Sequence, residues 1–276
     1  MKEILEQKIK AVDNRGQKYN LLREGLQHLI LKILDDEGQF KFLSFIGGTA
    51  LRVLFDLRRF SEDLDFSLQK PSDPHFQFSN LLEILQKQLD VYGFPVDTKS
   101  KKQRGAVCNV FLRFKDILRE FDVIPRPGQK IAVKLEVDTN PPLHAHFETN
   151  LIQKDFMFSV VHHDLPTLFA GKLLAFLFRG YTKGRDLYDV IWFLSRKTPI
   201  NKPFFESGLE QTLKKREEWS REKLIEQLLN RLKVLNMPEA LRDVRPFLVE
   251  ESQIRLFDAD LLKGLFDNVQ FGSGGK

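Results

Sequence analysis

The chain is short of cysteine and of the larger aromatics. Its 276 residues include one cysteine, two tryptophans and four tyrosines. A single thiol cannot close an intrachain disulfide, and it leaves a thiolate zinc site without partners, so the fold is expected to rest on its core alone. That thiol, Cys108, lies in the apolar run 106–112 and reads as a buried, reduced side chain. No window is apolar enough to span a membrane, and the first residues, Met1-Lys2-Glu3-Ile4-Leu5-Glu6, hold no signal-peptide segment. These absences lead us to expect a cytoplasmic protein with no membrane partner. Internal repeats and Pro/Gly-rich linkers are also missing.

What is present is an ordinary globular balance: 42% hydrophobic and 29% charged residues, with a formal charge of +5. That length permits one large domain or two ordinary ones. The small positive excess suits a polyanionic partner without establishing one. Phenylalanine is abundant, at 25 residues, and we read it as core.

Periodicity divides the chain. Leu21, Leu22, Leu26, Leu29, Ile30, Ile33 and Leu34 have the spacing of an amphipathic helix over 18–36. A strand is predicted at 42–46, broken by Gly47-Gly48, then a helix over 49–57 and a strand over 63–68. A helix over 75–91, strands over 106–115 and 131–139, and a strand over 155–162 follow. Beyond Asp164 the period is helical, with segments at 168–179, 185–195, 220–235, 238–249 and 258–268. The expected architecture is an α/β (α+β) domain over 1–165, built on a mixed sheet, and a helical domain over 166–276.

The chemistry concentrates around Asp63 and Asp65. In a strand, alternate side chains share a face, so these two carboxylates point one way while Leu64 and Phe66 point into a core. Two adjacent carboxylates repel one another, and a hard divalent ion such as Mg²⁺ or Mn²⁺ relieves that repulsion. Alone, the pair also fits a solvated edge strand. The turn at Gly47, Gly48 and Thr49 lets a ligand approach backbone N–H groups at a helix N-terminus, which suits a phosphate. By itself it reads equally as a plain strand–helix loop capped by Thr49. The alternation in 133–138 puts Lys134, Glu136 and Asp138 on one face. Glu136, mid-strand, is our choice as third carboxylate, and Asp138 is the alternative.

Taken in order, Gly47-Gly48-Thr49-Ala50-Leu51-Arg52, Arg59 through Asp63-Leu64-Asp65-Phe66, Lys134 to Pro142, the helical Lys172 and Arg185-Asp186-Leu187-Tyr188-Asp189 form a specific pattern. It resembles the AbiEii/AbiGii toxin family, within the polymerase-β-like nucleotidyltransferase superfamily, over about residues 40–196. The resemblance implies a polymerase-β-like core and a mainly helical C-terminal half. It also implies a nucleoside triphosphate substrate, Mg²⁺ as cofactor, an RNA acceptor such as the tRNA 3′ end, and an antitoxin encoded alongside. Carried over by position, Gly47, Gly48 and Thr49 would grip the triphosphate. Asp63, Asp65 and Glu136 would hold the metals. Lys172 and Arg185, with Arg52 or Arg59, would neutralise phosphates, and Asp186 would be the acidic residue of the family's Arg-x-Lys-Asp-x-x-Asp motif. One departure is that the motif's lysine is Arg185 here and its upstream basic residue is Lys183. The alternatives are a transferase acting on a protein or small-molecule hydroxyl, and a non-catalytic nucleotide-binding module.

Other features read more plainly. Lys172 in an apolar helix could simply snorkel to solvent. His144 and His146 flank Ala145 in what reads as a loop, and Asp164 is expected to cap the following helix. The basic runs at 99–104 and 214–216 are solvated faces that become phosphate contacts if the acceptor is RNA. The terminal segment 272–276 is given no role.

Overall fold

In a computed structural model, residues 2–100, 105–123 and 130–272 are described, and the side chains of residues 99 and 100 are left aside. Most of the basic run over 99–104 and nearly all of the terminal 272–276 segment lie outside the described residues. The chain forms two compact units. One comprises Met1–Asn140 with Glu148–His162, and the other comprises Pro141–Phe147 with His163–Lys276.

The first unit opens with α1 (Lys2–Lys10) and α2 (Arg15–Asp36). The side chain of Asn14 accepts from the Gln17 N–H and starts α2. Leu22, Leu26, Leu29, Ile30 and Ile33 are buried apolar positions of α2, and Arg23, Glu24, Gln27 and His28 are buried as well, so the helix is enclosed on more than its apolar face. Leu5 of α1 crosses α2 at Gly25, where an added Cβ would lie 2.2 Å from Leu5 Cδ2. Then come β1 (Leu43–Ile46), α3 (Gly47–Phe55), β2 (Asp63–Leu68) and α4 (Phe78–Val91). The remaining elements are β3 (Val96–Ser100), β4 (Val107–Phe114), the single turn α5 (Ile117–Glu120), β5 (Ile131–Asp138), β6 (Phe147–Gln153) and β7 (Met157–His163).

The seven strands make one mixed sheet in the order β3-β4-β5-β2-β1-β7-β6. Strand β1 pairs antiparallel with β2 and parallel with β7, while β2 pairs parallel with β5. Strands β5, β4 and β3 continue antiparallel. Alternation governs β4 and β5: Cys108, Val110, Leu112 and Phe114, with Ile131, Val133, Leu135 and Val137, are buried, and their intervening neighbours are half-exposed. Cys108 is thus on the core face, and burial pushes its thiol up.

The second unit is helical: α6 (Leu165–Phe178), α7 (Gly184–Ser195), α8 (Lys202–Leu213), α9 (Arg221–Val234), α10 (Met237–Val244) and α11 (Ala259–Phe266). Polar caps start most of these helices. Asp164, Asn201, Ser220, Asn236 and Asp258 each accept a backbone N–H of the first turn. Asp164 therefore caps α6 as expected. His144 and His146 lie in irregular backbone before β6.

Several boundaries differ from the periodicity. The helix expected from residue 75 begins at Phe78, because Asp73 Oδ1 accepts from the His75 N–H in a turn that occupies the intervening residues. The segment expected to stay helical to residue 249 ends at Val244, where Pro246 falls in a short 3₁₀ turn. Helix α3 starts at Gly47 itself and stops at Asp56, which adopts a left-handed φ of 55°. Periodicity gives no signal for helices α1, α5 and α8 or for strands β3 and β6.

Candidate active site

The site is built where β2 and β5 run side by side. Their parallel register sets Asp63 beside Lys134 and Asp65 beside Glu136. Leu64 and Phe66 are buried on the opposite face, so Asp63 and Asp65 are turned outward by the alternation itself. One carboxylate oxygen each from Asp63, Asp65 and Glu136 lies within 4.8 Å of the other two. All three residues are half-buried. Asp138 lies further along β5, beside Ser67, and its carboxylate accepts from the Asn140 N–H at 2.9 Å. Burial pushes Asp138 upward, outweighing that hydrogen bond.

Carboxylates this close repel one another when ionised, and a bound cation relieves that repulsion. An all-oxygen donor set on a rigid sheet suits a hard ion such as Mg²⁺ or Mn²⁺ and excludes the soft metals that need thiolate. The residues therefore fit the divalent ion that the sequence reading calls for.

The Gly47-Gly48 turn adjoins this cluster. Gly47 has φ of 80°, and a Cβ there would fall 2.1 Å from Asp65 Oδ2, so only glycine lets the carboxylate and the turn coexist. A Cβ on Gly48 would meet Arg59 Nη2 at 2.5 Å. Arg59 is buried against the underside of the turn, its Nη1 donating to the Phe60 carbonyl at 2.9 Å. Thr49 is also buried. Its hydroxyl donates to the Asp63 carbonyl, tying α3 to β2. The N-cap of α3 is Ile46, without a side-chain cap. Arg52 Nε donates to Glu24 at 2.6 Å, its Nη1 donates to the Leu57 carbonyl at 3.1 Å, and its guanidinium lies over the Phe60 ring. Burial raises the Glu24 carboxyl, but Arg52 and Lys8 outweigh it and hold it low.

The remaining expected residues belong to the second unit. Lys172 on α6 pairs with Asp189 on α7, Nζ to Oδ2 at 2.8 Å, so its ammonium is anchored by a carboxylate. Asp186 is buried and forms an ion pair with Arg179 at 2.7 Å. Burial alone would lower Arg179, but Asp186 and Tyr181 raise it. Arg185 holds Asp243 of α10 through its backbone N–H at 3.0 Å and its side chain at 3.3 Å, and stacks over Phe247. The structure thus joins the first-unit candidates around one cluster and gives each second-unit candidate its own ion-pair partner.

Some neighbours carried no signal in the sequence. Asp243 reaches Arg185 from 58 residues further along the chain, while Arg179 meets Asp186 across the turn between α6 and α7. Lys134 and Glu136 share the polar face of β5 two residues apart, and their ion pair, Nζ to Oε1 at 2.6 Å, follows from that alternation.

The family model described as Nucleotidyl transferase AbiEii toxin, Type IV TA system, matches residues 29–267. No curated protein matches the chain in sequence. The solved structure of MenT4, a nucleotidyltransferase toxin of Mycobacterium tuberculosis H37Rv, shares the fold. It matches with a TM-score of 0.53 and 19% identity, over 97% of this chain and 94% of that one. JHP933 from Helicobacter pylori matches with a TM-score of 0.47 and 22% identity, over 90% and 88% of the two chains. Among the described residues, no helix is long and apolar enough to cross a membrane.

Proposed function

The chain belongs to the AbiEii nucleotidyl transferase toxin family of type IV toxin–antitoxin systems, and from that premise we propose that it moves a nucleotide from a nucleoside triphosphate onto the 3′ end of a tRNA. The family brings with it a triphosphate substrate and an antitoxin partner. The observation that supports the reaction is the gathering of Asp63, Asp65 and Glu136 within 4.8 Å, from two strands far apart in sequence.

In this reading the acceptor's hydroxyl oxygen attacks the α-phosphorus, the bond to the bridging oxygen breaks, and pyrophosphate leaves. Asp63, Asp65 and Glu136 would hold Mg²⁺ or Mn²⁺. When bound, the ion supplies charge neutralisation on the phosphates and a lowered pKa for the attacking hydroxyl. Gly47 and Gly48 let the triphosphate approach backbone N–H groups at the start of α3, and Thr49 fixes that start against β2. Arg59 and Arg52 give the turn a positive backing. Lys172 and Arg185 neutralise charge on the leaving phosphates. Asp186 positions Arg179, and Asp189 positions Lys172. Blocking the tRNA 3′ end would stop aminoacylation and so growth, in the cytoplasm, as an abortive-infection defence against phage.

The test is direct. Purified protein is incubated with each α-labelled nucleoside triphosphate, Mg²⁺ or Mn²⁺, and total RNA or total protein. Label is expected in the tRNA band, and absent with Asp65→Asn at unchanged melting temperature. Label in protein would move the acceptor to a protein hydroxyl. No label with any nucleotide or acceptor would leave a non-catalytic binding module.

A further inference from the structure

Two polar side chains beside the acidic cluster have no part in that reaction. The first is Lys134, whose ammonium lies 2.6 Å from Glu136 Oε1 and in register with Asp63. One of the three carboxylates is therefore already engaged by a cation of the protein. A divalent ion entering the cluster meets that ammonium at close range, and the two charges repel. The ion needs Glu136 released.

The second is Asn109. Strand β4 pairs antiparallel with β5, setting Asn109 opposite Glu136 and Phe111 opposite Lys134. Alternation places Asn109, Lys134 and Glu136 on the same half-exposed face. Asn109 Oδ1 is buried and has no hydrogen-bond partner among the described residues. A buried carbonyl oxygen left without a donor is rare and marks a position with more to do than pack. Asn109 and Lys134 are diagonal neighbours on adjacent strands, a spacing that a long side chain spans. The lysine has a donor to give and the asparagine has an acceptor to fill.

We infer that Lys134 is handed between two partners: it holds Glu136 when the cluster contains no ion, and moves to Asn109 Oδ1 when an ion takes Glu136. The inference rests on the ion-binding reading of Asp63, Asp65 and Glu136. It makes Lys134 and Asn109 positioning residues, since neither touches the reacting atoms in this scheme. The device keeps the Glu136 carboxylate paired before the ion arrives. It also sets the affinity for the ion, because displacing Lys134 is part of binding and its new hydrogen bond offsets that cost.

The experiment is an Mn²⁺ titration of the full chain without nucleotide, following the free-ion EPR signal, with melting curves in parallel. Wild type, Lys134→Met, Asn109→Leu, the double variant and Asp65→Asn are compared. Lys134→Met removes the competitor and should bind Mn²⁺ about tenfold tighter, with a lower melting temperature when no ion is present. Asn109→Leu removes the destination and should bind about tenfold more weakly, with an ion-free melting temperature at or above wild type. In the Lys134→Met background, Asn109→Leu should have no effect on Mn²⁺ affinity.

That last comparison separates a hand-over from simple charge removal. Equal weakening by Asn109→Leu in both backgrounds would overturn the inference, as would unchanged affinity in Lys134→Met. Lys134→Gln and Asn109→Ala serve if either first variant misfolds. Mn²⁺ binding that depends on Asp65 but ignores Lys134 would sink this inference alone. Mn²⁺ binding indifferent to Asp65→Asn would sink the ion-binding reading beneath it.

Discussion

Lys172 Nζ sits 2.8 Å from Asp189 Oδ2, and the aspartate side chain is wholly buried. The pair links α6 to α7, so a lysine that sequence alone offers as a phosphate contact also closes a helix–helix seam. Asp189→Ala leaves a mostly buried ammonium without this carboxylate. We expect it to cost about 3–5 kcal/mol of unfolding free energy, read from urea titration. A loss below about 1 kcal/mol would show the pair to be incidental.

The approach of Asp65 to Gly47 makes a second expectation. Gly47→Ala adds a methyl group where the carboxylate now lies and strains a backbone at φ of 80°. The variant should lose about 1–3 kcal/mol of stability. Because Asp65 must move to make room, nucleotide transfer should fall with it. Gly47→Ala retaining wild-type transfer would show that the turn and the carboxylate need not touch.

The two acidic positions of β5 should separate cleanly. Glu136→Gln removes a carboxylate that faces Asp63 and Asp65, and transfer should fall at least about 10³-fold, as when a main electrostatic group is lost. Asp138→Asn keeps an acceptor for the Asn140 N–H and should change transfer less than about threefold. The reverse ranking, in labelled-nucleotide assays on the same RNA, would move the third carboxylate to Asp138.

Acid should unfold the first unit partly through Asp155. Burial pushes its carboxyl up, but the His28 hydrogen bond and charge, with Lys8, pull it down to about 2 from the ordinary 3.8. His28 Nδ1 lies 2.7 Å away and Lys8 Nζ 3.0 Å. A carboxyl depressed by folding adds stability in full above the unfolded value and loses it as pH falls. The contribution, roughly 2 kcal/mol, should therefore fade between about pH 4 and pH 2. Asp155→Asn should be less stable than wild type at neutral pH, with the gap closing over that window in denaturant titrations at stepped pH. A gap that stays constant to pH 2 would contradict the assignment.

How much of this was legible depended on local contrast. Strand β5 alternates strictly between buried and outward side chains, and β2 does so over Asp63–Phe66 before Ser67 and Leu68 are both buried, so the shared face of Asp63 and Asp65 is legible directly. Strand β6, Phe147–Gln153, is exposed at most positions and shows no such contrast. Strand β3 is the short polar edge segment Val-Asp-Thr-Lys-Ser. Helix α1 buries only Leu5 and Ile9 among charged neighbours, too little for a period to emerge. Around the cluster, Glu136 opposite Asp65 and Asn109 opposite Glu136 are products of strand register, which links residues remote in sequence. Arg185 and Asp243, 58 residues apart, are brought together by the packing of helices α7 and α10.

The side-by-side pairing of 63–68 with 131–138 also sets an order in time. Hydrogen bonds between parallel strands so distant along the chain close late, after the intervening loops have been gathered at an entropic cost. A ribosome that has released only the N-terminal third has therefore made the Asp-Leu-Asp strand without the glutamate opposite it. Synthesis interrupted there would yield a fragment in which Asp63 and Asp65 stand without Glu136, so the three-carboxylate cluster exists only after translation has moved well beyond the first acidic pair.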